Sequence, residues 1–304
     1  MTAMLLQFEA TEADEGKTIR DVLQSAHGVS RRLLTRAKYG GSICLNGAAA
    51  YVTEHLKKGD QVTLFLPAEE AETLVPQPMP LAIRYEDEDL LVLAKPAGVV
   101  VHPTRTHPDG TLANGVVAYW QAKGESRKFR PVNRLDKDTS GLLIVAKNQW
   151  AHEQFARMQR ERTLRRTYQA IAEGLIEDDQ GMVEAPIGLR DDSIIVREVR
   201  PDGQYARTHY RVLKRGEDMT WLELQLQTGR THQIRVHLSH LGHPLAGDDL
   251  YGGSRERISR QALHAAALSF CHPRSKEMLT LTEPVPPDMA QLIGQIEGRD
   301  GADE

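Results

Sequence analysis

The feature that most constrains this chain is a short apolar run, Leu142 to Ala146, closed by Lys147 and Asn148. An uninterrupted run of branched residues between polar ones is the pattern of a strand buried on both faces, so layers are expected on either side of it. Directly before it comes a polar turn that holds Asn133, Arg134, Asp136, Lys137, Asp138, Thr139, Ser140 and Gly141. Loops on rigid supports commonly carry reactive groups, and this one delivers a carboxylate onto a fixed base. An Asp in such a turn more often just bonds its own backbone, and Asp136 taken alone reads no differently.

The spelling around it changes the balance. NRLDKDTSG followed by an apolar strand resembles the active-site motif of the RluA family of RNA pseudouridine synthases, usually His-Arg-Leu-Asp-x-x-Thr-Ser-Gly. The resemblance implies that Asp136 is the catalytic aspartate. Asn133 stands where His is commoner; both donate a hydrogen bond, and a local supporting role is expected. TGRTHQIR, ending at Arg235, is similar to the family's Thr-Gly-Arg-x-His-Gln-Ile/Leu-Arg and implies that Arg235 pairs with Asp136, with Arg230 and His232 in supporting or RNA-facing positions. RTYQAI resembles Lys/Arg-x-Tyr-x-Ala and implies that Tyr168 stacks on the target base. The Lys95-Pro96-Ala97-Gly98 turn resembles the opening motif of the catalytic domain, and Lys95 is given no chemistry. Gln204 stands where the family commonly has Lys and is given no role.

Two segments carry concentrated positive charge although the formal net charge is -4, a total that argues mildly against nucleic acid. Local fields outweigh totals. Ser30 is expected to cap a helix with Leu33, Leu34 and Ala37 inward and Arg31, Arg32, Arg36 and Lys38 on the outer face. It follows a helix capped by Thr18 with Ile19, Val22 and Leu23 inward, and precedes a hairpin signalled by Asn46-Gly47. This stretch is similar to the RNA-binding module first known from a small-subunit ribosomal protein, which implies that Arg31, Arg32 and Arg36 lie on RNA. The second patch, Arg157, Arg160, Arg162, Arg165 and Arg166, follows a helix capped by Asn148 with Trp150, Phe155 and Met158 inward. Beside the candidate site it is expected to meet phosphates.

The expected organisation is a small RNA-binding domain over 1–68, a proline-rich acidic linker over 69–80, a catalytic domain over 81–296 and a disordered acidic tail over 297–304. The resemblance implies an α+β fold, the pseudouridine synthase fold: a mixed, mainly antiparallel central sheet with flanking helices, preceded by a small α/β domain. Further strands are read in PIGLR, SIIVREV and GQYARTHYRVL, a helix capped by Thr231 with Ile234, Leu238 and Leu241 inward, and a final helix over 288–296. Cys44 and Cys271 are too few for a disulfide framework and are expected to be buried.

No apolar run reaches the roughly 20 residues of a membrane span, and the start lacks a secretion signal; a cytoplasmic monomer without membrane contact is expected. The implied reaction isomerises uridine to pseudouridine in structured RNA, ribosomal or transfer, without cofactor or metal. His232, His237, His240 and His243 offer a metal reading, but no Cys or His-Glu spacing joins them. An inactive RNA-binding protein is the rival class. A retaining glycosidase would need a second carboxyl about 5 Å away across the sugar, and Asp138 in the same turn is poorly placed for that.

Overall fold

The computed structural model describes residues 2–67, 69 and 73–298; the expected acidic tail beyond 298 and most of the acidic stretch 68–72 lie outside them. The chain begins with β1 (Thr2–Glu9). Helix α1 (Ile19–Ser25) starts at Thr18, whose hydroxyl accepts from the Asp21 amide, and α2 (Arg31–Gly40) starts at Ser30, whose hydroxyl accepts from Leu33. Each cap satisfies an amide that the first helical turn leaves free. Strand β2 (Ser42–Leu45) turns at Asn46-Gly47, both with positive φ, into the two-residue β3 (Ala48–Ala49). Strand β4 (Gln61–Pro67) then lies between β1 and β2, so the small sheet runs β1-β4-β2-β3.

Among the described residues the large sheet has ten strands. Its first members are β5 (Ala82–Glu86) and β6 (Leu90–Lys95), followed after α3 (Leu112–Ala122) by β7 (Arg130–Pro131) and β8 (Ser140–Ala146). Helix α4 (Gln149–Glu161) leads to β9 (Arg165–Glu173) and β10 (Gln180–Glu184). A separate hairpin, β11 (Ile187–Leu189) and β12 (Arg197–Val199), precedes β13 (Arg207–Arg215), β14 (Met219–Leu226) and α5 (Gln233–His240). Strands β15 (Leu263–Cys271) and β16 (Met278–Thr282) and helix α6 (Pro287–Glu297) complete the fold. The order is β10-β13-β14-β9-β15-β8-β6-β5, with β16 beside β15 and β7 beside β8. Among the described residues only the β8–β15 pairing is parallel, so the sheet is mixed and mainly antiparallel.

Strand β8 is buried along its whole length. Leu143 and Val145 pack with Trp120 of α3 on one face, and Leu142 and Ile144 with Phe155 of α4 on the other. Fully burying each such side chain contributes about 1.5–3 kcal/mol. Trp150 and Ala151 of the same α4 join instead the core of the small sheet, with Leu23, Leu33, Val62 and Leu64. The proline-rich strap is not loose where it is described: Val75 O accepts from Asn114 Nδ2, Gln77 N donates to Asn114 O, and Met79 packs on Gly115 of α3.

Four local expectations are corrected. SIIVREV forms a strand only at β12, because the Ser193 hydroxyl accepts from the Ile195 and Val196 amides and bends the chain, leaving Ile194 and Ile195 exposed. Thr231 does not cap α5; the N-cap position falls to His232, in the left-handed region at φ 56° and without a side-chain bond to the first turn. Leu241 is exposed, while Ile234 and Leu238 are buried. Cys44 and Cys271 are only half-buried, both lying on strands with partly exposed positions.

Candidate active site

The turn before β8 is gripped by its main chain. Lys95 Nζ donates to the carbonyl of Lys137 at 2.8 Å, and to those of Pro96 and Val99 at 2.8 and 2.9 Å. Burial pushes the Lys95 amine down to about 7, against the pull of Asp138 and Asp136. Three accepting carbonyls match the three donors of an ammonium, so the cradle fits the charged form. Arg260 Nη1 donates to the Asp138 carbonyl at 3.0 Å while its fork holds Asp288 of α6 at 2.7 and 2.9 Å. Gln261 Nε2 reaches the Thr139 hydroxyl.

Two further features seat this turn on the sheet. Asn133, buried, donates to Leu142 O and accepts from Ile144 N, which is the local support expected of it. Gly141 has φ 111°, and a Cβ there would lie 2.3 Å from the Ala265 carbonyl. Only glycine permits β8 and β15 to meet so closely beside the turn.

The Asp136 side chain retains 28% of its exposure. Arg235 Nη1 lies 3.3 Å from its Oδ2, and His232 Nε2 lies 3.8 Å from the same oxygen. The rest of the guanidinium forks onto Asp248, with Nε to Oδ2 at 2.7 Å and Nη2 to Oδ1 at 2.8 Å. Asp248 is 1% exposed. Burial opposes the charge on Arg235, but the Asp248 bonds and charge outweigh it, and the guanidinium sits above its ordinary value. Tyr251 lies with its ring centroid 4.9 Å from Arg235 Cζ and its hydroxyl 2.8 Å from His232 Nδ1. Burial lowers the His232 imidazole, with the Asp136 charge opposing, so it is neutral near pH 7.

Tyr168 is buried in β9, and burial raises its phenol. It lines one pocket with Arg134, Asp136, Arg230, His232 and Arg235. Six residues singled out in the sequence thus share one pocket. Arg134 is exposed at its edge. Arg230 is tied down, donating to Tyr205 O and Gln204 Oε1. Asp248 and Tyr251 went unread in the sequence.

Arg165 and Arg166 line a groove that shares Leu226 with this pocket and also holds Arg162, His209, Tyr210 and Arg211. The arginines of α2 do not share the one outer face expected. Arg31 lines a groove with Arg20, Lys38 and Tyr51, whereas Arg32 and Arg36 turn toward Lys128, Arg130 and His152. Arg36 is half-buried there, paired with Glu69 at 3.3 Å and bonded to Gln149. The helix winds these positions around its circumference, which a count of charges does not reveal. His237 is engaged by Thr208 Oγ1 and Ala185 O, and His243 by Glu173 O.

Residues 89–240 match the family model described as RNA pseudouridylate synthase. The chain is 48% identical over 268 residues to the uncharacterized RNA pseudouridine synthase YjbO of Bacillus subtilis, covering 88% of this chain and 95% of that protein. It is 38% identical to ribosomal large subunit pseudouridine synthase D of Neisseria meningitidis serogroup B, covering 90% of this chain and 77% of that protein. Among solved structures, human RNA pseudouridylate synthase domain containing 1 superposes with a TM-score of 0.57 at 28% identity, covering 75% of this chain and 99% of that one.

Proposed function

This chain belongs to the RluA-type RNA pseudouridine synthase family and is an isomerase acting on RNA, and on that premise we propose which atoms do the work and on which RNA. Asp136, Arg235 and Tyr168 are the catalytic residues. The observation that carries this reading is the 3.3 Å contact between Arg235 Nη1 and Asp136 Oδ2, in a pocket that Tyr168 also lines.

The bond from ribose carbon 1 to uracil nitrogen 1 breaks, the base turns, and carbon 5 bonds to carbon 1. Carbon 5 gives up its proton and nitrogen 1 gains one, so atoms balance within the nucleotide. Both Arg235 and His232 approach Oδ2, and among the described residues no hydrogen bond reaches Oδ1. That free oxygen meets the ribose, as nucleophile at carbon 1 or as base toward a ribose proton. A stacked uridine is out of reach, so the nucleotide turns out into the pocket. Tyr168 stacks on the base, and its hydroxyl helps remove the proton from carbon 5.

Arg134, Arg230 and His232 line the entry, Arg165 and Arg166 hold phosphates of the flanking strand, and Arg31, Arg32 and Arg36 engage RNA further off. The small sheet and its helices, residues 1–68, form the RNA-binding part, with 69–80 as the connecting strap and 81–296 as the catalytic part. Ribosomal RNA is the substrate, a reading supported by the name of the Neisseria relative, and transfer RNA is the second choice. The enzyme acts as a monomer in the cytoplasm. Among the described residues no helix is long and apolar enough to cross a membrane.

Asp136→Asn keeps the side-chain shape, so the variant is expected to fold, to bind RNA as the parent does and to form no pseudouridine. The check is quantification of pseudouridine in ribosomal RNA from cells lacking the parent gene and supplied with either version. Parental levels with the variant would remove Asp136 from the mechanism.

A further inference from the structure

Arg235 divides its donors unequally: one long contact goes to Asp136, while Nε and Nη2 make two short parallel bonds to Asp248. Bidentate charge-assisted pairs fix geometry as well as supply energy. The direction of the guanidinium is therefore set by the buried Asp248, and Asp136 receives what that orientation delivers.

The same turn acts a second time through Tyr251. Its ring lies against the Arg235 guanidinium, and its hydroxyl accepts from the Arg197 amide at 2.9 Å. The hydroxyl proton then goes to His232 Nδ1 at 2.8 Å, which leaves the imidazole proton on Nε2, the nitrogen that faces Asp136 Oδ2. The ring also stands edge-on to the imidazole at 82°. Two N–H groups from different residues thus converge on one oxygen of Asp136, and among the described residues no hydrogen bond reaches the other.

The turn itself is pinned. Gly247 N donates to Ser254 O, Gly253 N and Tyr251 N both donate to Asp248 O, and Ser239 Oγ donates to Tyr251 O. A Cβ on Gly247 would lie 1.9 Å from Arg260 O, and one on Gly253 2.0 Å from Leu245 O, so both positions require glycine.

We propose that Asp248 and Tyr251 are positioning residues for the isomerisation: Asp248 orients Arg235, and Tyr251 orients both Arg235 and His232, so that Asp136 presents Oδ1 alone to the ribose. This rests on the reading of Asp136 given above. Asp248 is buried and neither residue lines the pocket, so the effect belongs in the chemical step.

The test is single-turnover pseudouridine formation at saturating RNA, with RNA affinity and melting temperature measured on the same full-length variants. Asp248→Asn keeps the shape but weakens the fork; Tyr251→Phe keeps the ring but removes the hydroxyl. Misplacing a catalytic group by about 1 Å costs on the order of 100-fold. The expected result is a rate about 100-fold lower for Asp248→Asn and about tenfold lower for Tyr251→Phe, with RNA affinity within about twofold of the parent. Asp248→Glu, which restores the charge, is expected to recover part of the rate.

Parental rates in both variants would overturn the proposal, as would a loss confined to RNA affinity with the saturating rate intact. If Asp248→Asn fails to fold, the rate of Tyr251→Phe decides. Activity in Asp136→Asn would instead sink the reading beneath, and so the two failures are told apart.

Discussion

Arg235 sits between two carboxylates of different exposure, and the consequence differs for each. Asp136 at 28% exposure keeps water if the guanidinium leaves, whereas Asp248 at 1% does not. Removing one partner of a buried pair leaves an uncompensated charge that costs about 3–5 kcal/mol. Arg235→Ala is therefore expected to lower the unfolding free energy by about that amount, while Asp136→Asn stays within about 1 kcal/mol; a shift in denaturant midpoint at constant slope measures both. Equal, small effects would mean that Asp248 finds another partner. The pair Asp136 and Arg235 was legible because each sits in a long, specifically spelled motif. Asp248 was not, since an Asp between Gly247 and Asp249 reads as turn chemistry, and only burial separates it from the exposed Asp249.

Helix α4 joins the two halves of the molecule. Phe155 faces the large sheet and Trp150 the small one. Five residues at about 100° each set these side chains roughly 140° apart, so one stripe could not serve both. Both are inward, and their spacing sends them into different cores. Trp150 Nε1 donates to His27 O and Gln154 Nε2 to Gly28 O, each at 2.8 Å. Arg274 lies 5.3 Å from the indole, forks onto the buried Asp89 and reaches Leu5 O. Trp150→Ala is expected to cost about 3–5 kcal/mol, seen as a lower denaturant midpoint. A change below about 1 kcal/mol would show that the seam is loose. The periodic elements α1, α2 and α4 were readable from caps and apolar spacing. The start of α5 was not, because the left-handed turn at His232 follows from packing against Tyr251 rather than from a capping letter.

Over the whole molecule, burial holds His27, His152, His232, His237 and His264 below the usual imidazole value. Beneath about pH 6.5 the unfolded chain takes up protons that the folded one refuses, so stability rises with pH through that window. Read downward, stability is lost as pH falls below about 6.5, and above it these groups give no slope. The melting temperature is expected to be lower at pH 5.5 than at pH 7.5; an unchanged value would mean that these imidazoles charge without penalty. Individual strands were legible at this scale from their apolar runs, and the mixed sheet followed from the family resemblance. The grips on the active-site turn were not, because Lys95 and Arg260 come from segments far apart in sequence and act through backbone oxygens, with Asp288 holding the Arg260 fork. Those oxygens bear on the family spelling Asp-x-x-Thr. Lys137 and Asp138 are caught by carbonyls that every amino acid possesses, so the two unspecified letters can drift freely while the aspartate keeps its aim.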